Sequence, residues 1–180
     1  MQTFVNKIIF LDVDGVINHC DWYDWIHEHK EFLKAGGHDS IDPKAVDKII
    51  QICNETNAYI VMSSSWRYWS LGHTIKKLNS IRDLRPILDR LVGVTPRTDK
   101  RNRGEEIKYF LNACRKRNMF TADGDMLSDE RFKFDISPKY VILDDDTDML
   151  PEQMNNFIHV NDIHGISDED VKKAIDILNV

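Results

Sequence analysis

The chain has 180 residues, 42% of them hydrophobic and 30% charged, with a formal net charge of −6. That length suits one domain with a real core, the composition is that of an ordinary globular protein, and no apolar run approaches the length of a membrane span. The acidic balance excludes a general nucleic-acid binder that works by bulk positive charge, although Arg97 to Arg117 is basic and the stretch after Asp123 is acidic.

The opening MQTFVNK has no signal-peptide pattern, and three scattered cysteines (Cys20, Cys53, Cys114) read as reduced packing residues; both predict a cytoplasmic protein. The first element is KIIFLDVDGVIN, Lys7 to Asn18. Its apolar run is short and rich in β-branched and aromatic residues, which predicts a strand buried on both faces. Asp12 and Asp14 follow on one side of the extended chain, and Gly15 allows a sharp turn beyond them. Two carboxylates so placed need a divalent cation, a shared proton, or both. The plain alternative is a strand ending in an Asp-Gly turn. A calcium loop fails on spacing, because its fifth and twelfth positions from Asp12 would be Val16 and Tyr23. The run Asp144, Asp146, Asp148 fails likewise at Met149 and Asn155.

His19 to Ser40 carries Trp22, Tyr23, Trp25 and Phe32 and breaks at Gly36-Gly37, which predicts a solvated loop or short helix. His27 and His29 lack the spacing that sets two imidazoles on one helical face. Asp42-Pro43 predicts an N-cap and first helical residue, followed by Val46, Ile49, Ile50 and Cys53 at helical spacing. A second strand is expected over Ala58 to Met62, running into Ser63, Ser64, Ser65, Trp66 and Arg67. A hydroxyl there points into the crevice that holds Asp12, or else caps a helix; no GxSxG elbow supports serine-hydrolase chemistry. A helix around Thr74 to Asn79, a break at Pro86 and a third strand at Leu91 to Val94 come next. Asn102 and Glu105 then have the form of a capping box for a helix through Ile107, Phe110, Leu111 and Cys114, which sets Lys100, Arg101 or Arg103 at a helix start.

Asn118 to Ser137 reads as an insertion. Lys139 to Leu143 is a fourth strand ending in Asp144, Asp145 and Asp146, and Phe157 to Val160 a fifth. Ser167 with Asp170 caps a last helix whose Val171, Ala174, Ile175 and Leu178 face inward. The alternation predicts an α/β protein, a three-layer Rossmann-like fold with a mostly parallel central sheet.

The motifs FLDVDGVIN, SSSWR, RGEEI and VILDDD, in that order and at strand ends, resemble those of haloacid dehalogenase (HAD) superfamily phosphatases, and more narrowly the phosphatase-like domains of RNA-repair proteins. The resemblance runs from Phe10 to Asp148. It implies a HAD-like fold with at most a small cap, spanning residues 1–180 as a single domain with a short aromatic flap at about 20–39 and an insertion at about 118–137. It implies a Mg²⁺-dependent phosphomonoester hydrolase working through an aspartyl-phosphate, with Asp12 as nucleophile and Asp14 as general acid/base. Ser63 would donate to a phosphoryl oxygen, and Arg103 or Lys100 would offset charge, although the family's basic residue is commonly lysine. Asp12, Asp14, Asp145 and Asp144 are the expected metal ligands, all of them oxygen donors suited to Mg²⁺. With no room for a large cap, the site would admit a nucleotide or a nucleic-acid end. Ser64 and Arg67 would bind the substrate, and Trp22 and Trp25, with Tyr23 and Trp66, would stack on a base unless they only pack the flap on the core. Two other readings stand beside this one: a phosphate-binding or regulatory HAD-like protein without turnover, and a nucleic-acid-binding accessory domain.

Overall fold

The computed structural model describes residues 2–32, 40–98 and 101–180. A parallel sheet of five strands runs through it: β1 (Thr3–Leu11), β2 (Tyr59–Met62), β3 (Leu91–Val94), β4 (Phe132–Asp144) and β5 (Phe157–His159), in the order β3-β2-β1-β4-β5. The first strand is therefore central. Its alternate residues serve two cores, which is why its sequence is apolar without a break. Ile9 and Leu11 pack with α2 (Pro43–Thr56), α4 (Arg85–Arg90) and α6 (Asp168–Asn179); Ile8 and Phe10 pack with α5 (Arg103–Lys116). On the second face Phe10 meets Phe110 and Tyr140 edge-on, at 5.7 Å in each case. Each buried aromatic or aliphatic side chain there contributes about 1.5–3 kcal/mol.

Register places the chemistry. Leu11 is level with Met62 on one side and Leu143 on the other. The ladder continues one residue further, with Ser63 N–H donating to Leu11 O (2.8 Å), Asp12 N–H to Leu143 O (3.0 Å) and Thr95 N–H to Met62 O (3.0 Å). Thr95, Ser63, Asp12 and Asp144 thus form a row at the carboxyl ends of four adjacent strands, the place where open α/β sheets gather ligand groups.

The remaining α-helices among the described residues are α1 (Cys20–Glu28) and α3 (Leu71–Leu78), and short 3-10 turns lie at Lys30–Phe32, Arg82–Leu84 and Pro151–Asn156. Asp42 caps α2, and Ser167 and Asp170 form the capping box of α6. Asn102 caps α5 through Glu105 N–H. The stretch after the first strand is helical over α1, capped by His19, whose ring accepts from Trp22 N–H and reaches Asp42 at 3.1 Å. The Gly36-Gly37 break and the second half of the flap lie outside the described residues.

Three expectations about boundaries are corrected. The second strand starts at Tyr59 rather than Ala58, and α3 starts at Leu71 because Ser70 caps it, accepting from His73 N–H. The fourth strand begins at Phe132, inside the expected insertion. Thr3 to Val5 pair with Phe132 to Phe134 before the register shifts between Val5 and Lys7, where Lys139 takes up the pairing. Pro138 falls in that irregularity, the only kind of central-strand position that proline tolerates, and its presence hid the first half of the strand. What precedes Phe132 covers the edge strand β3: Val94 N–H donates to Leu127 O (2.9 Å), and the Ser128 hydroxyl donates to Val92 O. An edge so occupied cannot pair with another chain. No helix among the described residues is long and apolar enough to cross a membrane.

Candidate active site

Two carboxylates lie at the bottom of the crevice. Asp12 is 4% exposed and Asp144 fully buried. Burial raises both: it pushes Asp12 up to about 6, against the lowering influence of Arg103 and of a hydrogen bond from Ser64, and Asp144 up to about 8, with Asp12 adding to the rise. Arg103, the first residue of α5, sits between them. Its Nε is 3.0 Å from Asp144 Oδ2, its Nη2 3.6 Å from Asp12 Oδ1 and its Nη1 3.5 Å from Glu106 Oε2. Burial disfavours the guanidinium charge, but the carboxylates of Asp12, Asp144, Glu106 and Asp148 outweigh it and hold its pKa above the ordinary value. A planar fork can reach three carboxylates at once. Its separate nitrogens each face a different acid, a spread that the compact ammonium of the lysine expected from the resemblance lacks.

One arginine does not satisfy this cluster. Asp12 Oδ1 is buried with no hydrogen-bond partner among the described residues. Asp12, Asp144 and Asp145 each offer a ligand atom, and these atoms lie within 4.8 Å of one another. Burial and neighbouring acids push Asp145 up as well. Such a group of oxygen donors, short of counter-charge, fits a hard divalent cation. The backbone makes room for it: Gly15 has φ +70°, and a Cβ there would stand 2.5 Å from Asp145 Oδ2. Gly15 is therefore fixed by both its left-handed backbone and the approach of a carboxylate.

Asp14 lies outside that group and is held differently. It accepts from the Ser65 hydroxyl (2.8 Å), the Trp66 indole N–H (2.9 Å) and the Asn18 amide (2.7 Å). Gly15 N–H donates to the Asn18 carbonyl oxygen (3.1 Å), which fixes the orientation of that amide. All three donors are neutral. Neutral donors thus orient this carboxylate without a fixed counter-charge.

Of the other expected site residues, Ser64 touches Asp12, whereas Ser63 is buried against Thr95, whose hydroxyl donates to it at 3.4 Å. Arg67 is buried away from solvent. Its guanidinium donates to Glu106 (2.6 Å) and to the carbonyls of Ser64, Thr95 and Pro96, so the donors expected for a phosphate are committed to the loop and to α5. Glu106 also accepts from Thr98 N–H (3.1 Å), so one buried carboxylate ties together Arg67, Arg103 and the loop after β3. Lys100 lies outside the described residues. Trp22 and Trp25 stack on each other (5.5 Å), and Trp25, 40% exposed, also stacks on His29 (4.7 Å). Tyr23 lines a cleft beside Asp145.

Sequence reasoning passed over Asn18, Ser65, Trp66 as a donor to Asp14, and Glu106. Asn18 had a local signal, four residues after Asp14 across a glycine turn, and Glu106 had the i,i+3 spacing to Arg103. Ser65 and Trp66 had none, since they meet Asp14 across two strands.

A five-stranded parallel sheet with one carboxylate pair after its central strand, a second after the neighbouring strand and a basic residue facing both defines a HAD-like domain. Over residues 8–171 the chain matches the family described as the HAD domain in Swiss Army Knife RNA repair proteins, and it belongs to that family. No curated protein and no solved structure is similar enough to match the chain.

Proposed function

We propose that this domain is a metal-dependent phosphomonoester hydrolase acting on a phosphorylated nucleotide or nucleic-acid end. The observation that carries the reading is the division of labour between two aspartates two residues apart: Asp12 faces Arg103 and the candidate cation site, and Asp14 faces only neutral donors. An Asp12 oxygen attacks phosphorus, and the bond from phosphorus to the leaving oxygen breaks as Asp14 gives that oxygen its proton. Water then attacks the resulting aspartyl-phosphate while Asp14 takes a proton from it, which releases phosphate and restores Asp12. Arg103 offsets the charge gathering on the phosphoryl oxygens, and the Ser63 and Ser64 hydroxyls are the nearby donors. Mg²⁺, held by Asp12, Asp144 and Asp145, would neutralise the repulsion between the nucleophile and its anionic target. The substrate class is supported by the family's place in RNA-repair proteins and by open clefts on both sides of the aspartates.

A phosphatase screen with and without Mg²⁺, covering an aryl phosphate, mononucleotides and oligonucleotides phosphorylated at the 3′ or 5′ end, tests the reading. We expect hydrolysis that EDTA abolishes and that is faster on a nucleotide substrate than on the aryl ester. Full activity in metal-free protein, or no turnover of any ester, contradicts it.

A further inference from the structure

Two clefts flank the aspartates, and their charges are opposite. The one on the α1 side, about 500 Å³, is lined by Tyr23, Asp24, Asp145 and Asp162, with no lysine or arginine among the described residues of its wall. The one on the α5 side, about 580 Å³, has Ser65 and Arg103 at its inner wall and Arg97 and Arg101 further out. Both are within the size range of small-ligand sites.

The arginines of the second cleft are not equivalent. Arg103 and Arg67 are ion-paired with acids. Arg97 and Arg101 are exposed and in no ion pair among the described residues. Arg97 is nonetheless pinned: its Nη2 donates to the carbonyls of Ser65 (3.1 Å) and Arg67 (2.6 Å). Its Nε and Nη1 make no hydrogen bond among the described residues, so one edge of the fork is fixed and the other is open. Arg101 stands in the left-handed region, at φ 48°, with its N–H on Thr98 O (3.0 Å), immediately before the cap of α5. Of the acids in the wall, Glu106 is engaged by Arg67 and Arg103, Asp148 accepts from Arg103 N–H (2.7 Å), and Asp146 is the exposed one. Among the described residues, two guanidinium groups therefore stand against one open carboxylate.

The geometry points to a second phosphate subsite in this cleft, formed by Arg97 and Arg101, that takes the phosphate next to the scissile monoester on the same substrate. It rests on the reading of Asp12 and Asp14 as phosphomonoesterase residues. The chemistry it recognises is a second phosphate group, whether the adjoining phosphodiester of a nucleic-acid end or the other phosphate of a nucleoside bisphosphate. Arginine forks suit such groups, and an anionic extension of the substrate is repelled from the α1 cleft by its carboxylates.

The test is equilibrium binding to the full chain carrying Asp12→Asn, which keeps the probes intact, in Mg²⁺. The probes are uridine 3′- and 5′-monophosphate, uridine 3′,5′-bisphosphate, and the dinucleotides pUpU and UpUp. The bisphosphate or a dinucleotide is expected to bind about 10- to 100-fold more tightly than the monophosphates, as one charge-assisted pair allows. Adding Arg97→Gln and Arg101→Gln should collapse that preference and make the slope of log affinity against log salt shallower by about 0.7 for each arginine–phosphate pair removed. Arg101→Gln alone, which removes no backbone-pinning bond, should remove part of the preference with the melting temperature unchanged. Preference for the dinucleotides assigns the diester source, and preference for the bisphosphate alone assigns the free nucleotide. Equal binding of all probes by the parent chain, or equal losses on every probe in the arginine variants, overturns the subsite. The two readings fail separately: turnover by the unmodified chain without this preference leaves the phosphatase and removes the subsite, whereas arginine-dependent preference in a chain that hydrolyses no ester does the reverse.

Discussion

The carboxylate cluster has an inner and an outer half, and the two are built on different principles. Asp12 and Asp144 are buried, raised by that burial, and share one guanidinium. Asp14, two residues along the same strand end, is oriented by a hydroxyl, an indole and an amide and meets no cation among the described residues. Burial with too little counter-charge makes a place for a metal and an electrophile, while orientation by neutral dipoles makes a place for a proton. Identical side chains can therefore carry different roles, because the role is set by what faces each of them.

The strongest way to break this comparison is to neutralise one carboxylate in each half. Asp12→Asn removes the proposed nucleophile, and turnover should fall on the order of 10⁴- to 10⁶-fold on every ester. Asp14→Asn should cost on the order of 10²- to 10⁴-fold with an alkyl leaving group and much less with nitrophenolate, which leaves without a proton. Rate assays on matched alkyl and nitrophenyl phosphates decide this. Equal defects of Asp14→Asn on both would erase the distinction between the halves.

Stability sharpens the inner half. In metal-free protein Asp12, raised to about 6, and Asp144, raised to about 8, keep protons that the unfolded chain gives up near pH 4. The stabilisation this adds is complete below about pH 4 and is lost as pH rises through 6 and then 8. The melting temperature in EDTA should accordingly fall by several degrees between about pH 5 and 8, and saturating Mg²⁺ should remove most of that fall, because the cation replaces the protons. Calorimetry on Asp144→Asn provides the control. An undiminished fall in that variant would move the cause elsewhere.

The smallest expected effect probes the outer half. Trp66→Phe removes the indole N–H from Asp14 while keeping most of the packing. Losing that bond leaves the carboxylate less firmly oriented, so turnover of an alkyl phosphate should fall by under about tenfold at neutral pH with the melting temperature little changed. An equal loss on alkyl and nitrophenyl esters, or a loss matched by a lower melting temperature, would make Trp66 a packing residue only.

The strand-end aspartates were legible in the sequence because their signal is local: an apolar run that ends in polar residues at the period of two states both the strand and what stands at its mouth. The caps at Asp42, Asn102 and Ser167 were legible for the same reason, since a cap is a contact across a few residues. Pro138 obscured the first half of β4, because a proline in a central strand reads as a break unless the partner strand is known to bulge there. The aromatic run of α1 was visible in the composition, but which of its residues line a cleft was not. Tyr23 lines the cleft beside Asp145, a position set by the helix's rotation rather than by its residue types.

By itself, then, the sequence determined most of the strands and helices, the carboxylates at two strand ends and the basic start of α5, all properties of short continuous segments; the half of β4 before Pro138 and the helix α4 that starts beside Pro86 were not among them. Only the tertiary structure decided which of those groups meet. The order β3-β2-β1-β4-β5 and its register bring Asp144 beside Asp12, Ser65 and Trp66 onto Asp14, and the Arg103 fork between three acids. The hydrogen-bonded pairs Arg103–Asp144, Ser65–Asp14 and Trp66–Asp14 lie 41, 51 and 52 residues apart along the chain. No local periodicity encodes such pairs, because they form only when both cores of the sheet are closed at once and each helix end is brought to a fixed height above the strands.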